Sequence, residues 1–210
     1  MDISLAVIQI PVLIFAVVIH ESAHGWMADK CGDPTARILG RITLNPIPHI
    51  DLMGSVLLPL LLFISNSPFM IGYAKPVPVN FRNLRNPKRD AAFVGMAGPI
   101  SNILIAFLSL IFLKILYSIE LFRLRGLILF LISAFQINIV LAAFNLIPIP
   151  PLDGSRLMSA LLTDKLSYSY SKLEPYGFVL IMGLMMFGLL DKIFSPLLNI
   201  LQFVLHALVF

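Results

Sequence analysis

Long apolar runs, broken at a few points by short polar or proline-bearing stretches, set the pattern of this chain. Five segments are long enough to cross a bilayer as helices: roughly 4–28, 91–118, 126–147, 175–190 and 193–210. The last two are short and joined by Asp191-Lys192, which a thin or locally distorted bilayer tolerates. The runs are continuous rather than alternating every second residue, so they predict helices and not the strands of a barrel. The segment 54–64 (GSVLLPLLLFI) is shorter, with Pro59 in its middle. It reads as a re-entrant or interfacial piece. Extended into SNSPFMIGY, it would make a sixth span.

Between the first span and this piece, TARILGRITLN mixes Ala36, Ile38 and Ile42 with Arg37, Arg41 and Thr43 around Gly40, a pattern that predicts a short strand or hairpin. The prolines of KPVPVN (75–80) predict extended backbone. The fold class is therefore an all-α polytopic membrane protein, with five or six transmembrane helices, a re-entrant segment and a short membrane-associated β-hairpin. It reads as one domain over 1–210, with a core over about 4–160 and a C-terminal helical hairpin over about 174–210.

Composition makes lipid the solvent for most of the surface. Of the 210 residues 59% are hydrophobic and 12% charged, against about 25% charged in ordinary soluble domains. The net charge of +4 is clustered. Lys30, Arg37 and Arg41 form one group, Arg82, Arg85, Lys88 and Arg89 another, and Lys165 with Lys172 a third. Such clusters in short loops mark the cytoplasmic face, which puts the N-terminus outside in the five-span arrangement. No soluble stretch remains to carry a nucleic-acid interface. The single cysteine, Cys31, excludes an intramolecular disulfide and a cysteine-based zinc site. Met1-Asp2 gives no basic leader, so the first apolar segment is expected to stay as a span.

That first span holds the candidate chemistry. AVVIHESAHGWMA (16–28) carries two imidazoles and a carboxylate straight into apolar sequence. Ionisable groups are costly at membrane depth, by a few kcal/mol each on insertion scales, so three together point to function. His20 and His24 stand at i and i+4 on one helix face, and Glu21 sits beside the first of them. This is the H-E-x-x-H arrangement of zinc hydrolases, in which two histidines share one ion and the carboxylate takes a proton from an activated water. Counting 1.5 Å per residue back from Lys30 places the pair roughly 9–15 Å below the interface, where water must reach it. A catalytic zinc needs a third protein ligand. In FNLIPIPPLDGSRL (144–157) prolines 148, 150 and 151 break a span, and Asp153 sits in the break, either as that ligand or as a helix cap.

Three motifs together carry a resemblance: HESAH (20–24), AGPISN (97–102) and NLIPIPPLDG (145–154). They occur in the order and form of the H-E-x-x-H, G-x-x-x-N and N-x-x-P-x-P-x-x-D-G segments of the site-2 protease family of intramembrane zinc metalloproteases, which the chain resembles over roughly 10–160. The resemblance implies His20, His24 and Asp153 as ligands of one Zn2+ and Glu21 as general base. It implies a site facing the cytoplasm of a multi-pass protein of the cell membrane, and single-span membrane proteins as substrates. Against that family the chain reads as a minimal form without PDZ or CBS domain, beginning on the catalytic span.

Other polar positions leave alternatives open. Asn145 suits a catalytic role, holding the substrate backbone or a developing oxyanion, or else a helix–helix hydrogen bond. Gly98 and Ala97 suit close helix packing, with Asn102 either part of that contact or turned to the site. His49 and Asp51 read as an interfacial turn held by Asn45, Pro46 and Pro48, or as a polar shell or gate to the zinc. Arg156 suits a carboxylate or lipid-phosphate partner, and His206 and Trp26 the membrane interface. The rival function is a metal-binding membrane transporter or sensor with no proteolysis. A transporter usually shows ligands along several spans and repeated halves; this chain has one cluster and no repeat.

Overall fold

The computed structural model describes residues 3–57, 61, 64, 73–119 and 124–190, with scattered helical positions between 192 and 207. Among the described residues, three helices are long and apolar enough to cross a membrane. Helix α1 covers Ile3–Cys31. A single turn, α2 (Thr35–Ile38), comes after it. The next two long helices are α3 (Pro87–Ser118) and α4 (Arg125–Asn145). Beyond α4 come three shorter ones: α5 (Gly154–Leu161), α6 (Asp164–Ser171) and α7 (Gly177–Met186).

The first three expected spans are thus present, with shifted ends. Helix α3 starts earlier than the apolar run because Asn86 accepts the N–H of Arg89 as its N-cap and Pro87 fits the first turn. Of the fourth expected span, 175–190, the continuous helix is only the ten residues of α7, closed at Phe187 before Gly188, whose φ is +63°. The fifth, 193–210, and His206 lie largely or wholly outside the described residues. A π-helical turn at Leu52–Leu57 overlaps the start of the segment expected to re-enter, and most of the stretch 58–72 is also outside the described residues.

The expected hairpin is corrected. No strand occurs among the described residues, and the stretch read as one is α2. Asp33 accepts the N–H of Thr35 at 3.2 Å and its hydroxyl at 2.5 Å, which starts the turn. Gly40, at φ +64°, ends it: its N–H goes to the Arg37 carbonyl and that of Arg41 to the Ala36 carbonyl. This is the paired-bond helix stop that a left-handed glycine permits. The glycine that looked like a hairpin turn is a helix C-cap. Residues 73–80 are non-helical, as the prolines required.

Helix α3 packs along both α1 and α4, and α1 also touches α4. Ala106 and Leu113 of α3 meet Leu131 and Phe135 of α4 in one buried cluster. Ala28, Leu84 and Val94 form a second beside the basic end of α1. Between 22% and 33% of each apolar window is buried. Large apolar side chains cover the outside, among them Phe15 on α1 and Phe107 and Phe112 on α3. An apolar surface this extensive is matched by lipid, not by water.

Candidate metal centre

The three long helices bring the buried polar groups to one place. His20 and His24 are 7% and 8% exposed, and their rings meet edge to face with centroids 4.6 Å apart. Each ring is held from behind. His20 Nδ1 lies 2.5 Å from Asn102 Oδ1, and His24 Nδ1 lies 2.7 Å from the Val94 carbonyl. Both partners are acceptors, so each Nδ1 carries the hydrogen and each Nε2 presents a lone pair. The two Nε2 atoms face each other at 3.0 Å.

Asp153 closes the triangle from the proline break after α4. It stands at the N-cap position of α5 but makes no side-chain cap bond. Its Oδ2 instead lies 3.1 Å from His20 Nε2 and 3.2 Å from His24 Nε2. That oxygen is buried and receives no hydrogen bond from a protein donor. Two acceptors from one helix face and a third from a distant part of the chain therefore converge with no hydrogen shared among them in these tautomers. Such a set is unfavourable unless a cation sits between its members. His20, His24 and Asp153 form a group able to hold a metal ion, and two imidazoles with a carboxylate suit zinc.

Small residues let the helices close on this point. A Cβ built on Gly98 would lie 2.5 Å from Nε2 of both histidines, so α3 presses its bare backbone onto the two rings. A Cβ on Gly95 would lie 3.0 Å from the Asp153 carbonyl, so the same face admits the α5 turn.

A cavity of about 350 Å³ opens over the cluster, with Glu21, Val77, Asn145 and Arg156 in its wall beside the three residues. Glu21 Oε2 accepts the backbone N–H of Val77 at 2.8 Å. Asn145 reaches the cavity, and its Nδ2 donates to the Leu141 carbonyl of its own helix at 3.0 Å rather than across to a neighbour. Arg156 pairs with Glu174 at 2.9 Å and stacks over Phe81.

Asn102 faces the site, as the His20 contact shows, while Gly98 provides the close approach. His49 and Asp51 do not reach the cluster. His49 Nε2 contacts the Thr43 carbonyl at 3.1 Å, and Asp51 accepts the N–H of Gly54 at 2.7 Å. They build the turn 43–54, which Ser22 ties to α1 through the same Thr43 carbonyl. Trp26 is exposed, with Lys30 over its ring. Three residues escaped the sequence reading. Val77 holds Glu21. Asp33, fully buried, also takes the N–H of Asn80 and the amide of Asn83. Asn138 accepts from Asn102 at 2.7 Å; its signal was a polar residue two helical turns before Asn145 in an apolar span.

The chain is similar in sequence to known proteins. The family model described as Peptidase family M50 matches residues 117–187. YwhC of Bacillus subtilis is 36% identical over 191 residues, covering 89% of this chain and 84% of that protein. The zinc metalloprotease MJ0392 of Methanocaldococcus jannaschii is 28% identical over 181 residues, covering 85% of this chain and 42% of its own length. Rip2 of Mycolicibacterium smegmatis is 25% identical over 184 residues, covering 88% of this chain and 68% of that protein. YwhC and Rip2 carry the zinc-metalloprotease designation in provisional form. No solved structure gives a significant match.

Proposed function

Because the chain belongs to peptidase family M50, the site-2 protease family, we propose that it is a zinc-dependent endopeptidase that hydrolyses peptide bonds in or beside the transmembrane segments of single-span partner proteins. The observation that carries this reading is the convergence of His20 Nε2, His24 Nε2 and Asp153 Oδ2 in one cavity with Glu21. Those three side chains would hold one zinc ion, which when bound would supply an acidified water and a Lewis acid for the scissile carbonyl. Glu21 takes the proton of the attacking water and passes it to the leaving amine. Asn145 lines the same cavity and has an amide hydrogen left after bonding Leu141, which supports a role as donor to the oxyanion.

A membrane helix hides its carbonyls in its own hydrogen bonds, so the substrate has to unwind before attack. The non-helical, proline-bearing run from Tyr73 to Asn80, with Pro76, Val77 and Val79 in the cavity wall, would offer an unwound segment a strand-like partner. Pairing there replaces hydrogen bonds that are expensive to leave open in lipid. The basic residues of 30–41 and 82–89 support an orientation with this end of the molecule towards the cytoplasm, the side from which water would enter.

The test is Glu21→Gln. The variant should retain zinc in the purified protein and lose cleavage of a membrane-embedded reporter; cleavage at the unmodified rate would remove the protease reading.

A further inference from the structure

The hydrogen bonds that begin at His20 continue through two amides buried between α1, α3 and α4. Asn102 is 0% exposed and Asn138 1%. Asn102 turns its Oδ1 to His20 Nδ1, at 2.5 Å. Its Nδ2 donates to Asn138 Oδ1 at 2.7 Å and reaches the Ala16 carbonyl only at 3.4 Å. Asn138 Nδ2 in turn donates to the Ala134 carbonyl at 2.8 Å. A backbone carbonyl can only accept, so this last bond fixes which way round Asn138 stands.

The two ends of an amide are nearly equal in size, so only hydrogen bonding decides its orientation. For Asn102 the two orientations have opposite consequences at His20. With Oδ1 towards the ring, the imidazole hydrogen sits on Nδ1 and the Nε2 lone pair faces His24 and Asp153. Turned over, the amide would donate to Nδ1, and the ring hydrogen would move to Nε2. That nitrogen could then no longer ligate a metal. The first orientation needs an acceptor for Asn102 Nδ2. The contact to Ala16 is too long to do this alone. Turning Asn102 over would instead set its oxygen against Asn138 Oδ1, two acceptors in a dry site.

We propose that Asn138 is a positioning residue for the metal ligand His20: acting through Asn102, it selects the imidazole tautomer whose Nε2 is free to bind a divalent cation. The inference rests on the metalloprotease reading for its purpose. Its geometry is independent of that reading. The competing role is a plain helix–helix hydrogen bond between α3 and α4, which would leave the His20 tautomer untouched.

The experiment uses the full chain in lipid nanodiscs, with Asn138→Leu and Asn138→Asp. Zinc affinity is read by chelator competition, and the ring tautomers by 15N NMR of metal-free protein labelled at histidine. Asn138→Leu should weaken zinc binding about tenfold and reduce the Nδ1-protonated signature of His20. His24, held by the Val94 carbonyl, serves as the internal reference and should not change. Asn138→Asp, neutral in this dry site, can give its O–H to the Ala134 carbonyl and still offer Asn102 an oxygen, and should keep both properties near the unmodified values. The proposal is overturned if the leucine variant leaves affinity and tautomer unchanged, or if the aspartate variant loses both as fully as leucine does. Should the leucine variant fail to fold, the aspartate variant decides alone by the same two readings. An unmodified chain that takes up no zinc would overturn the metalloprotease reading, and the His20 tautomer would still decide this one.

Discussion

Glu21 and Val77, 56 residues apart in sequence, are joined by a 2.8 Å hydrogen bond from the Val77 N–H to the Glu21 carboxylate. The bond ties the proposed general base to the non-helical run that forms the cavity wall. A carboxylate with one oxygen held this way has little freedom to swing, and the position of a base within the site governs its rate contribution. Val77→Pro removes the donor while keeping extended backbone, because Pro78 already confines residue 77 to that region. We expect kcat on a membrane-embedded reporter to fall roughly 10- to 100-fold with zinc content unchanged. An unaltered kcat would show that the bond does not orient the base.

Gly98 has a second consequence for the metal centre. A methyl group there would lie 2.5 Å from both Nε2 atoms, well inside contact distance, in the place where the two lone pairs meet. Gly98→Ala should therefore lose most bound zinc while the helices remain folded, measured by metal analysis and circular dichroism on the same sample. Gly126→Ala is the matched control: nothing lies within 4 Å of its Cβ position. There the added methyl meets open space, so fold and zinc should both be retained. A zinc-replete Gly98→Ala protein would mean that α1 and α3 separate easily, contrary to their close packing at this glycine.

Most of the candidate metal cluster was legible in the sequence. Helical spacing alone puts His20 and His24 on one face, and prolines 148, 150 and 151 mark the one span break that carries a carboxylate. The hairpin failed because Gly40 serves equally as a turn residue and as a helix stop. Asp33, two residues before α2, decides between them through a side-chain bond that hydrophobic alternation does not register. Val77 and Asn138 were not legible for another reason. Their partners, Glu21 and Asn102, lie 56 and 36 residues away, and an N–H or an amide carries no mark of which distant group it will meet. Asn102 shows the same limit: its motif was read, while its hydrogen bond to His20 depended on how α1 and α3 pack.

Asp33 gives the loops beside the site a pH dependence. Its burial raises the carboxyl pKa, but hydrogen bonds from Thr35, Asn83 and the Asn80 N–H outweigh that and hold it below the ordinary range. A depressed folded-state value means that the stabilisation is present above the unfolded value of about 3.9 and is lost as pH falls through the lower folded value. Protection of residues 75–86 from added protease should therefore drop on acidification through that window. In Asp33→Asn the drop should be absent there, with lower protection at neutral pH because a neutral acceptor binds its donors less strongly. A parallel pH response in the two proteins would assign the acid sensitivity elsewhere.

Asp153 and Asn145 border the same cavity and should fail in different ways. Asp153 supplies the oxygen facing both imidazoles, so Asp153→Ala leaves two ligands where a stable zinc site needs at least three. Zinc stoichiometry should fall close to zero, and activity with it. Asn145 gives its Nδ2 hydrogen bond to Leu141 and not to a member of the cluster. Asn145→Ala should keep its zinc and its KM but lose roughly 10²-fold in kcat, the scale of one lost oxyanion donor. Metal analysis beside steady-state kinetics on the two variants separates holding the ion from stabilising the charge that develops over it. If Asn145→Ala raises KM with kcat intact, the amide binds substrate and the oxyanion has another donor, of which Arg156 in the same wall is the first to test.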